Sequence, residues 1–111
     1  MKKILTAFLI ITLPVFSATA ASFDCQQSRR ADEQAICASR SLNDMDVEMS
    51  VKYKFLHGLY SMGAAGELKE SQTQWLAERR RCGSDKPCLR EVYRQRLTTL
   101  NHLYDAINKP L

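Results

Sequence analysis

No segment of this sequence alternates apolar and polar residues for long enough to predict a β-strand. The chain also lacks an internal repeat and a low-complexity segment. Its longest apolar stretch, residues 4–16, is interrupted by Thr6, Thr12 and Pro14, and it is too short to stay across a bilayer. These absences exclude a β-sheet domain, a repeat protein and a membrane-spanning helix.

The residue patterns of metal sites and of catalysis are also missing. The four cysteines are not arranged as C-x-x-C, which is the spacing typical of zinc ligands and redox pairs. His57 and His102 have no ligand spacing to the cysteines or to each other. Ser61, Ser71 and Ser84 have no catalytic motif around them. We therefore predict a protein that binds no metal and no cofactor and is not an enzyme.

The first 20 residues have the pattern of a cleavable signal peptide. Lys2 and Lys3 precede the apolar stretch, and residues 18–20 (ATA) form a small-x-small cleavage signal. A buried N-terminal helix is the alternative, but the charged residues just downstream would fit poorly in a core. The sequence before Cys25 is not a lipidation signal. We expect cleavage after Ala20 and a periplasmic or secreted protein.

The predicted mature chain, residues 21–111, is a single domain of mild charge. Removal of the first 20 of 111 residues leaves 91, and the loss of Lys2 and Lys3 lowers the formal net charge from +4 to +2. A domain this weakly basic, in a compartment without nucleic acid, is not expected to bind nucleic acid. A domain of this size has a modest core and commonly needs a covalent cross-link.

Apolar residues recur at helical spacing in three long segments and one short one. The first long helix is predicted to begin after Ser41 and to end at residues 63–66 (GAAG), and the second to cover residues 67–82. The third is predicted to begin at the caps Ser84-Asp85 and to end at Lys109-Pro110, and the short helix to cover residues 28–38. Ser41 is the predicted N-cap of the first long helix, and Pro87 is tolerated in the first turn of the last one. The sequence therefore predicts an all-α bundle of three main helices plus a short N-terminal helix.

Four cysteines in a small exported domain predict two disulfides. Three pairings are possible, and we favour the two local ones, Cys25–Cys37 and Cys82–Cys88. The first attaches the N-terminal segment to the short helix, and the second closes a turn that contains glycine and proline. Loop-closure entropy gives about 3 kcal/mol for the first pair and somewhat over ~2 kcal/mol for the second. The predicted bundle is therefore stapled by two disulfides.

Arg79 lies on the apolar face of the second long helix. It follows Trp75 by four residues and precedes Cys82 by three, so the three side chains share one stripe. Asp46 lies in the same way on the apolar stripe of the first long helix. A guanidinium at a helix interface needs a partner. We predict that Asp46 and Arg79 pair across the interface near Trp75; a binding role is the alternative.

Five further cations surround the predicted second disulfide. They are Arg80, Arg81, Lys86, Arg90 and Arg94. Arg80 and Arg81 point to solvent, away from the stripe of Arg79. Together the five predict a positive surface for an anionic partner such as a carboxylate-lined cleft, a phosphate or an acidic protein. The alternative is an ordinary solvated face, diluted by Glu78 and Glu91.

Four stretches of the chain resemble one family. The sequences FDCQQSRRADEQAICA, SLNDMDVEMSVKY, QTQWLAERRRC and CLREVYRQRLTTL are similar to the LprI-like lysozyme inhibitors, over about residues 23–100. The resemblance implies a helical fold with disulfides, no catalytic residue and, for some members, inhibition of lysozyme; many members are small exported proteins of unknown function. The family often has an acidic residue after the position of Arg79. Here that residue is Arg80, which makes this corner more basic than usual.

Inhibition of a lysozyme is the function that the resemblance implies. Lysozyme cleaves its substrate with two carboxylates in a cleft. A rigid loop that presents cations, such as the sequence GSDKPC with Lys86, has a shape that could occupy such a cleft. The expected partner is therefore a protein, and a lysozyme is the first candidate. The alternative is a non-inhibitory envelope module that docks another secreted or membrane protein, and the oligomeric state is left open.

Overall fold

The computed structural model describes residues 7, 9–12 and 21–107 of the chain. Within these ranges it contains four helices and no strand. The helices are α1 (Ala31–Ala38), α2 (Arg40–Leu59), α3 (Met62–Arg81) and α4 (Lys86–Asp105). The predicted all-α fold is confirmed: three main helices of 20 residues each follow a short helix of 8 residues.

Both ends of the chain fall largely outside the described residues. Of the predicted signal peptide only residues 7 and 9–12 are described, and the cleavage site after Ala20 is not among them. The predicted end of the last helix at Lys109-Pro110 is too late, because α4 ends at Asp105 with Ala106 as its C-cap; Lys109-Pro110 itself lies outside the described residues. No helix among the described residues has the length and apolar character that a membrane span requires. The signal peptide therefore stays a prediction.

A single residue, Ser39, separates α1 from α2. Its side chain accepts a hydrogen bond of 3.4 Å from the Leu42 N–H, so Ser39 is the N-cap of α2. The predicted N-cap, Ser41, lies inside the first turn. The short helix begins at Ala31, not at residue 28, because Arg30 is extended, with φ −76° and ψ 143°.

The break between α2 and α3 lies at Tyr60 and Ser61, so the prediction that residues 63–66 (GAAG) end the helix is wrong. Tyr60 (ψ 149°) and Ser61 (ψ 164°) are extended, and α3 starts immediately afterwards. Both glycines of GAAG are helical and exposed. Glycine permits a turn without requiring one, and each costs a helix only about 1 kcal/mol relative to alanine.

The turn between α3 and α4 forms largely where the sequence predicts it. α3 ends at Arg81, one residue before the predicted end, and Gly83 follows in the left-handed region with φ 57°. The Asp85 side chain caps α4 by accepting a hydrogen bond of 3.2 Å from the Cys88 N–H. Pro87 occupies the first turn, where no intrahelical N–H bond is lost.

The three long helices form one bundle in which α2 and α4 run parallel and α3 runs against both. Asp46 meets Tyr93 in the first halves of α2 and α4. Phe55 meets Tyr104 towards the end of the same two helices. The core between the helices consists of Ala35, Ile36, Leu42, Met49, Leu56, Leu68, Trp75, Cys82, Leu89, Tyr93 and Leu100.

Both predicted disulfides are present. Cys25 is bonded to Cys37 and Cys82 is bonded to Cys88. The first bond holds the chain before α1 against that helix, and the second closes the turn from α3 to α4. The favoured local pairing is therefore confirmed, and it places each bond beside one of the two charged regions described next.

Candidate functional site

The first charged region is a buried cluster centred on Arg79. It contains Asp32, Glu33, Asp46, Arg79 and Tyr93, and we call these five residues the charge cluster. Arg79 Nε donates to Asp32 Oδ2 at 2.9 Å, and the two side chains are only 3% and 2% exposed. Glu33, at the edge of the cluster, lies 3.7 Å from Arg79 Nη2. α1 thus supplies two carboxylates for one guanidinium.

The structure brings Asp46 and Arg79 together, but it gives the hydrogen bond of Arg79 to a different carboxylate. Arg79 Nη1 lies 3.8 Å from Asp46 Oδ1, which is ion-pair distance without a hydrogen bond. Asp46 instead accepts from the Tyr93 hydroxyl at 2.8 Å and from the Ser22 backbone N–H at 2.7 Å. The sequence reasoning missed Asp32. A signal existed, because Asp32 precedes the buried pair Ala35-Ile36 by three and four residues.

Aromatic rings enclose the guanidinium of Arg79. Its carbon Cζ lies 5.2 Å from the centre of the Phe23 ring and 5.9 Å from the centre of the Trp75 ring, so both contacts are cation–π interactions. Trp75 packs edge-on against Tyr93 at 5.1 Å, and its Nε1–H donates to the Val92 carbonyl at 3.0 Å. Trp75 is therefore next to the ion pair, where the sequence placed it.

Burial and charge shift two pKa values in the charge cluster in the same direction. Burial raises the pKa of Tyr93, and the neighbouring charge of Asp46 raises it further, against the opposing effect of Arg79. Burial alone would lower the pKa of Arg79, but its interactions with Tyr93 and Asp32 outweigh that effect and raise it. Among the described residues, no buried side-chain nitrogen or oxygen lacks a hydrogen-bond partner. This closed arrangement is that of a structural network.

The raised pKa of Tyr93 predicts a loss of stability at alkaline pH. Above about pH 10 tyrosine ionises in the unfolded chain, whereas Tyr93 keeps its proton in the folded protein. Unfolding then releases a proton, so stability falls as the pH rises, by up to about 1.4 kcal/mol per pH unit. Urea unfolding between about pH 9 and 11 should show a steeper loss for the wild type than for Tyr93→Phe. Equal slopes would contradict this prediction.

The second charged region surrounds the Cys82–Cys88 bond. We call the bond, residues 83–87 and four exposed cations within or next to this segment the staple corner. These cations are Arg80, Arg81, Lys86 and Arg90. In the part of the chain that the structure describes, none of the four takes part in an ion pair or a side-chain hydrogen bond.

Arg94, the fifth predicted member of the basic surface, differs from the other four. Its Nη2 donates to Glu91 Oε2 at 2.6 Å, and its Nε donates to the same carboxylate at 3.0 Å. The hydrogen bond lowers the pKa of Glu91 and raises that of Arg94, although both side chains are exposed. The positive charge of Arg94 is therefore paired with Glu91. Of the five cations of the predicted basic surface, the four in the staple corner remain unpaired among the described residues.

The backbone of the staple corner is held at three points. The disulfide joins Cys82, the residue directly after α3, to Cys88 in the first turn of α4. Gly83 turns the chain with a positive φ, and Asp85 caps the following helix. The Asp85 N–H also donates to the Cys82 carbonyl at 3.1 Å. Lys86 is thus presented from a constrained turn, which lowers the entropy that a contact with a partner would cost.

The described residues contain no group of three or more His, Cys, Asp or Glu side chains placed to hold a metal ion. His57 lies against the Tyr53 ring with centroids 5.9 Å apart, and His102 is exposed near the end of α4. Neither histidine has a hydrogen-bonded nucleophile in this part of the chain. The site on which function can be argued is therefore the staple corner.

Comparison with known proteins identifies the family. A family model described as "Lysozyme inhibitor LprI" matches residues 25–106, from the first disulfide cysteine to just beyond the end of α4. No curated protein matches the chain. No solved structure matches it either. Because the match covers both disulfides, all four helices and most of the chain, the protein belongs to the LprI lysozyme-inhibitor family.

Proposed function

We propose that this protein is exported and inhibits a lysozyme by protein–protein contact. The observation that carries the proposal is the family match over residues 25–106. The proposed signal peptide and the two disulfides fit an oxidising compartment outside the cytoplasm. In that compartment the protein would consist of residues 21–111.

The staple corner is the proposed contact surface. Lysozyme needs two carboxylates in its cleft, so a cation inserted there would meet opposite charge and keep substrate out. Arg80, Arg81 and Lys86 are exposed and unpaired among the described residues, and the disulfide limits the motion of the turn. A mature charge of +2 would slow association with a basic lysozyme, because like charges repel at long range. The proposal therefore requires that the cations of the staple corner meet the carboxylates of the cleft at close range, where this attraction outweighs the long-range repulsion.

A titration tests the proposal. The oxidised protein of residues 21–111 is added to c-type, g-type and i-type lysozymes acting on cell-wall substrate. The mass of the exported protein separately checks that it starts at Ala21. Inhibition near stoichiometry is expected for at least one class. Replacement of Arg80, Arg81 and Lys86 by alanine should then raise the inhibition constant by about 30-fold, because the cations that meet the cleft are gone.

A matched control separates a specific contact from a change in net charge. Lys52 and Lys54 in the second half of α2 and Lys69 in the first half of α3 lie away from the end of the bundle that carries the staple corner, and their replacement by alanine removes the same three charges. This control should inhibit like the wild type, and both triple variants should keep the wild-type circular dichroism spectrum. Equal weakening by the two triple variants would show that net charge, not the staple corner, controls inhibition. No inhibition of any class at high excess would remove the proposed function.

A non-inhibitory docking module is the second candidate, and an exposed apolar stripe favours it. Val51, Phe55 and Leu59 follow one another at intervals of four residues along α2, and they are 62%, 58% and 50% exposed. Met62, at the start of α3, is 94% exposed. Three aligned apolar side chains on one helix face are typical of a protein contact. Two results together would favour this candidate. The wild type would leave lysozyme activity unchanged, and the Phe55→Lys variant would no longer bind a partner that the wild type binds.

A further inference from the structure

Arg96 is a buried cation without an anionic partner. It lies in α4 and is 6% exposed. Its Nε donates to Gln72 Oε1 at 3.0 Å, and its Nη2 donates to Ser71 Oγ at 3.1 Å. No carboxylate of the described residues lies within ion-pair distance of it. Burial lowers the pKa of Arg96, against the smaller opposing effects of Tyr53 and Glu78, but a guanidinium stays charged in a protein.

The two buried arginines of this protein have opposite surroundings. Arg79 has three carboxylates within 4 Å, whereas both hydrogen-bond acceptors of Arg96 are neutral. A guanidinium has five N–H groups, and Arg96 uses two of them. No fully buried side-chain nitrogen in the described residues lacks a partner, so Nη1 of Arg96, which has none, reaches the surface with its two N–H groups. Arg96 itself lines the groove between α3 and α4.

A small polar cavity lies where Arg96 reaches this groove. Its volume is about 240 Å³. Besides Arg96 its lining includes Ser71, Gln74, Gln95, Thr99 and Glu78. The hydroxyl and amide groups supply further donors, and Glu78 is the only carboxylate in the lining. A cavity of this size, below that of pockets for larger ligands, suits one side chain or one chain end.

We propose that the Arg96 cavity binds a carboxylate, with Arg96 as the cation that recognises it. A guanidinium donates charge-assisted N–H···O bonds to a carboxylate, and the N–H groups of Arg96 Nη1 are available for this. Burial favours this contact, because the protein has already removed most of the water around the cation. The exposed Glu78 lines the same cavity without reaching ion-pair distance, so it is an internal competitor for the site.

A neighbouring cavity indicates what the carboxylate is attached to. Ser71 also lines a second cavity of about 260 Å³, in which Tyr60, Leu68 and Leu103 supply an apolar wall. A ligand held by Arg96 can therefore place an apolar group one helical turn away. The ligand that fits both cavities is a peptide carboxylate next to an apolar side chain. The carboxylate comes from a chain end or from an acidic side chain, and this inference is independent of lysozyme inhibition.

Nuclear magnetic resonance on the oxidised mature protein tests the proposal. The probes are acetate, N-acetyl-leucine, N-acetyl-leucinamide and N-acetyl-aspartic acid α-amide, each compared with sodium chloride at equal ionic strength. The Arg96 Nε–H and the Ser71 and Thr99 amides should shift in a saturable manner with Kd values in the millimolar range. N-acetyl-leucine should bind more tightly than acetate, and N-acetyl-leucinamide, which has no carboxylate, should not bind. Tighter binding of the leucine or the aspartate probe distinguishes a chain end from a side chain.

Two variants decide the role of Arg96. Glu78→Gln removes the internal competitor and should lower Kd by about threefold, because a larger fraction of the site is open. Arg96→Lys keeps the charge but loses the planar fork, and it should raise Kd by about tenfold. If Arg96→Lys does not fold, the Glu78→Gln result decides. Shifts that match those of chloride, or a Kd that Glu78→Gln leaves unchanged, would overturn the proposal.

Discussion

Replacement of Arg79 by methionine is expected to lower the free energy of unfolding by about 3–5 kcal/mol. The change removes the only guanidinium of the charge cluster and leaves its carboxylates in place. Asp32 and Asp46 are 2% and 0% exposed, so water cannot replace the lost cation without opening the bundle. Methionine keeps most of the side-chain volume, and the loss therefore reports charge, not a cavity.

The size of this effect depends on an asymmetry of buried ion pairs. A complete buried pair contributes little net stability, because desolvation of both charges offsets their attraction. Removal of one partner leaves the desolvation cost of the other without compensation. Arg79 is shared by α1 and α2 through Asp32 and Asp46, so its loss weakens two helix contacts at once. For a domain whose total stability is about 5–15 kcal/mol, such a loss is severe.

Urea unfolding followed by circular dichroism measures this loss. Arg80→Met is the matched control, because Arg80 is the next residue of α3 and is exposed. It should change the free energy of unfolding by less than about 0.5 kcal/mol. A cost below about 1 kcal/mol for Arg79→Met would show that the carboxylates find other partners and that the charge cluster is not strongly desolvated.

Replacement of both Cys25 and Cys37 by serine is expected to cost about 3 kcal/mol. The disulfide spans 12 residues of sequence, and its loss returns that loop entropy to the unfolded chain. The bond also holds the segment before α1 in position. The Ser22 N–H donates to Asp46, and the Phe23 ring lies on the guanidinium of Arg79. Release of this segment would uncover one side of the charge cluster.

The second disulfide provides the comparison for this prediction. Cys82→Ser with Cys88→Ser opens a loop of only 6 residues of separation, and it should cost about 2 kcal/mol. Thermal and urea unfolding of the two double variants, at equal pH and without reductant, gives both losses. The first double variant should be the less stable of the two. The reverse order would show that the chain before α1 contributes little to the stability of the bundle.

Much of the fold follows from local patterns in the sequence. Apolar residues at helical spacing determine the three long helices, and an exported chain with four cysteines indicates two disulfides. The position of Arg79 between Trp75 and Cys82 determines that a cation is buried, because residues three and four apart share a helix face. These features depend on neighbours in sequence, so they could be predicted without the tertiary structure.

Other features were not predicted from the sequence, and for most of them the partner depends on which groups the bundle brings together. Local propensity suggested that GAAG ends a helix, but the chain turns at Tyr60 and Ser61 instead. The inward position of Asp32 was missed although its spacing to Ala35 and Ile36 was a signal, because an 8-residue helix gives few positions from which to read a face. Arg96 was missed although it carries the same signal as Arg79, because it follows Tyr93 by three residues and precedes Leu100 by four on the apolar stripe of α4.

The sequence by itself determined the helical class, the number of disulfides, the buried cation and the basic character of the staple corner, whereas it left three disulfide pairings possible. Only the tertiary structure decided that Asp32 binds Arg79 while Asp46 binds Tyr93 and the Ser22 N–H. It also decided that Arg96 lines a cavity between α3 and α4 with no carboxylate of the described residues within ion-pair distance. The reason is geometric: periodicity gives the face on which a side chain lies, whereas its partner depends on how separate helices are packed.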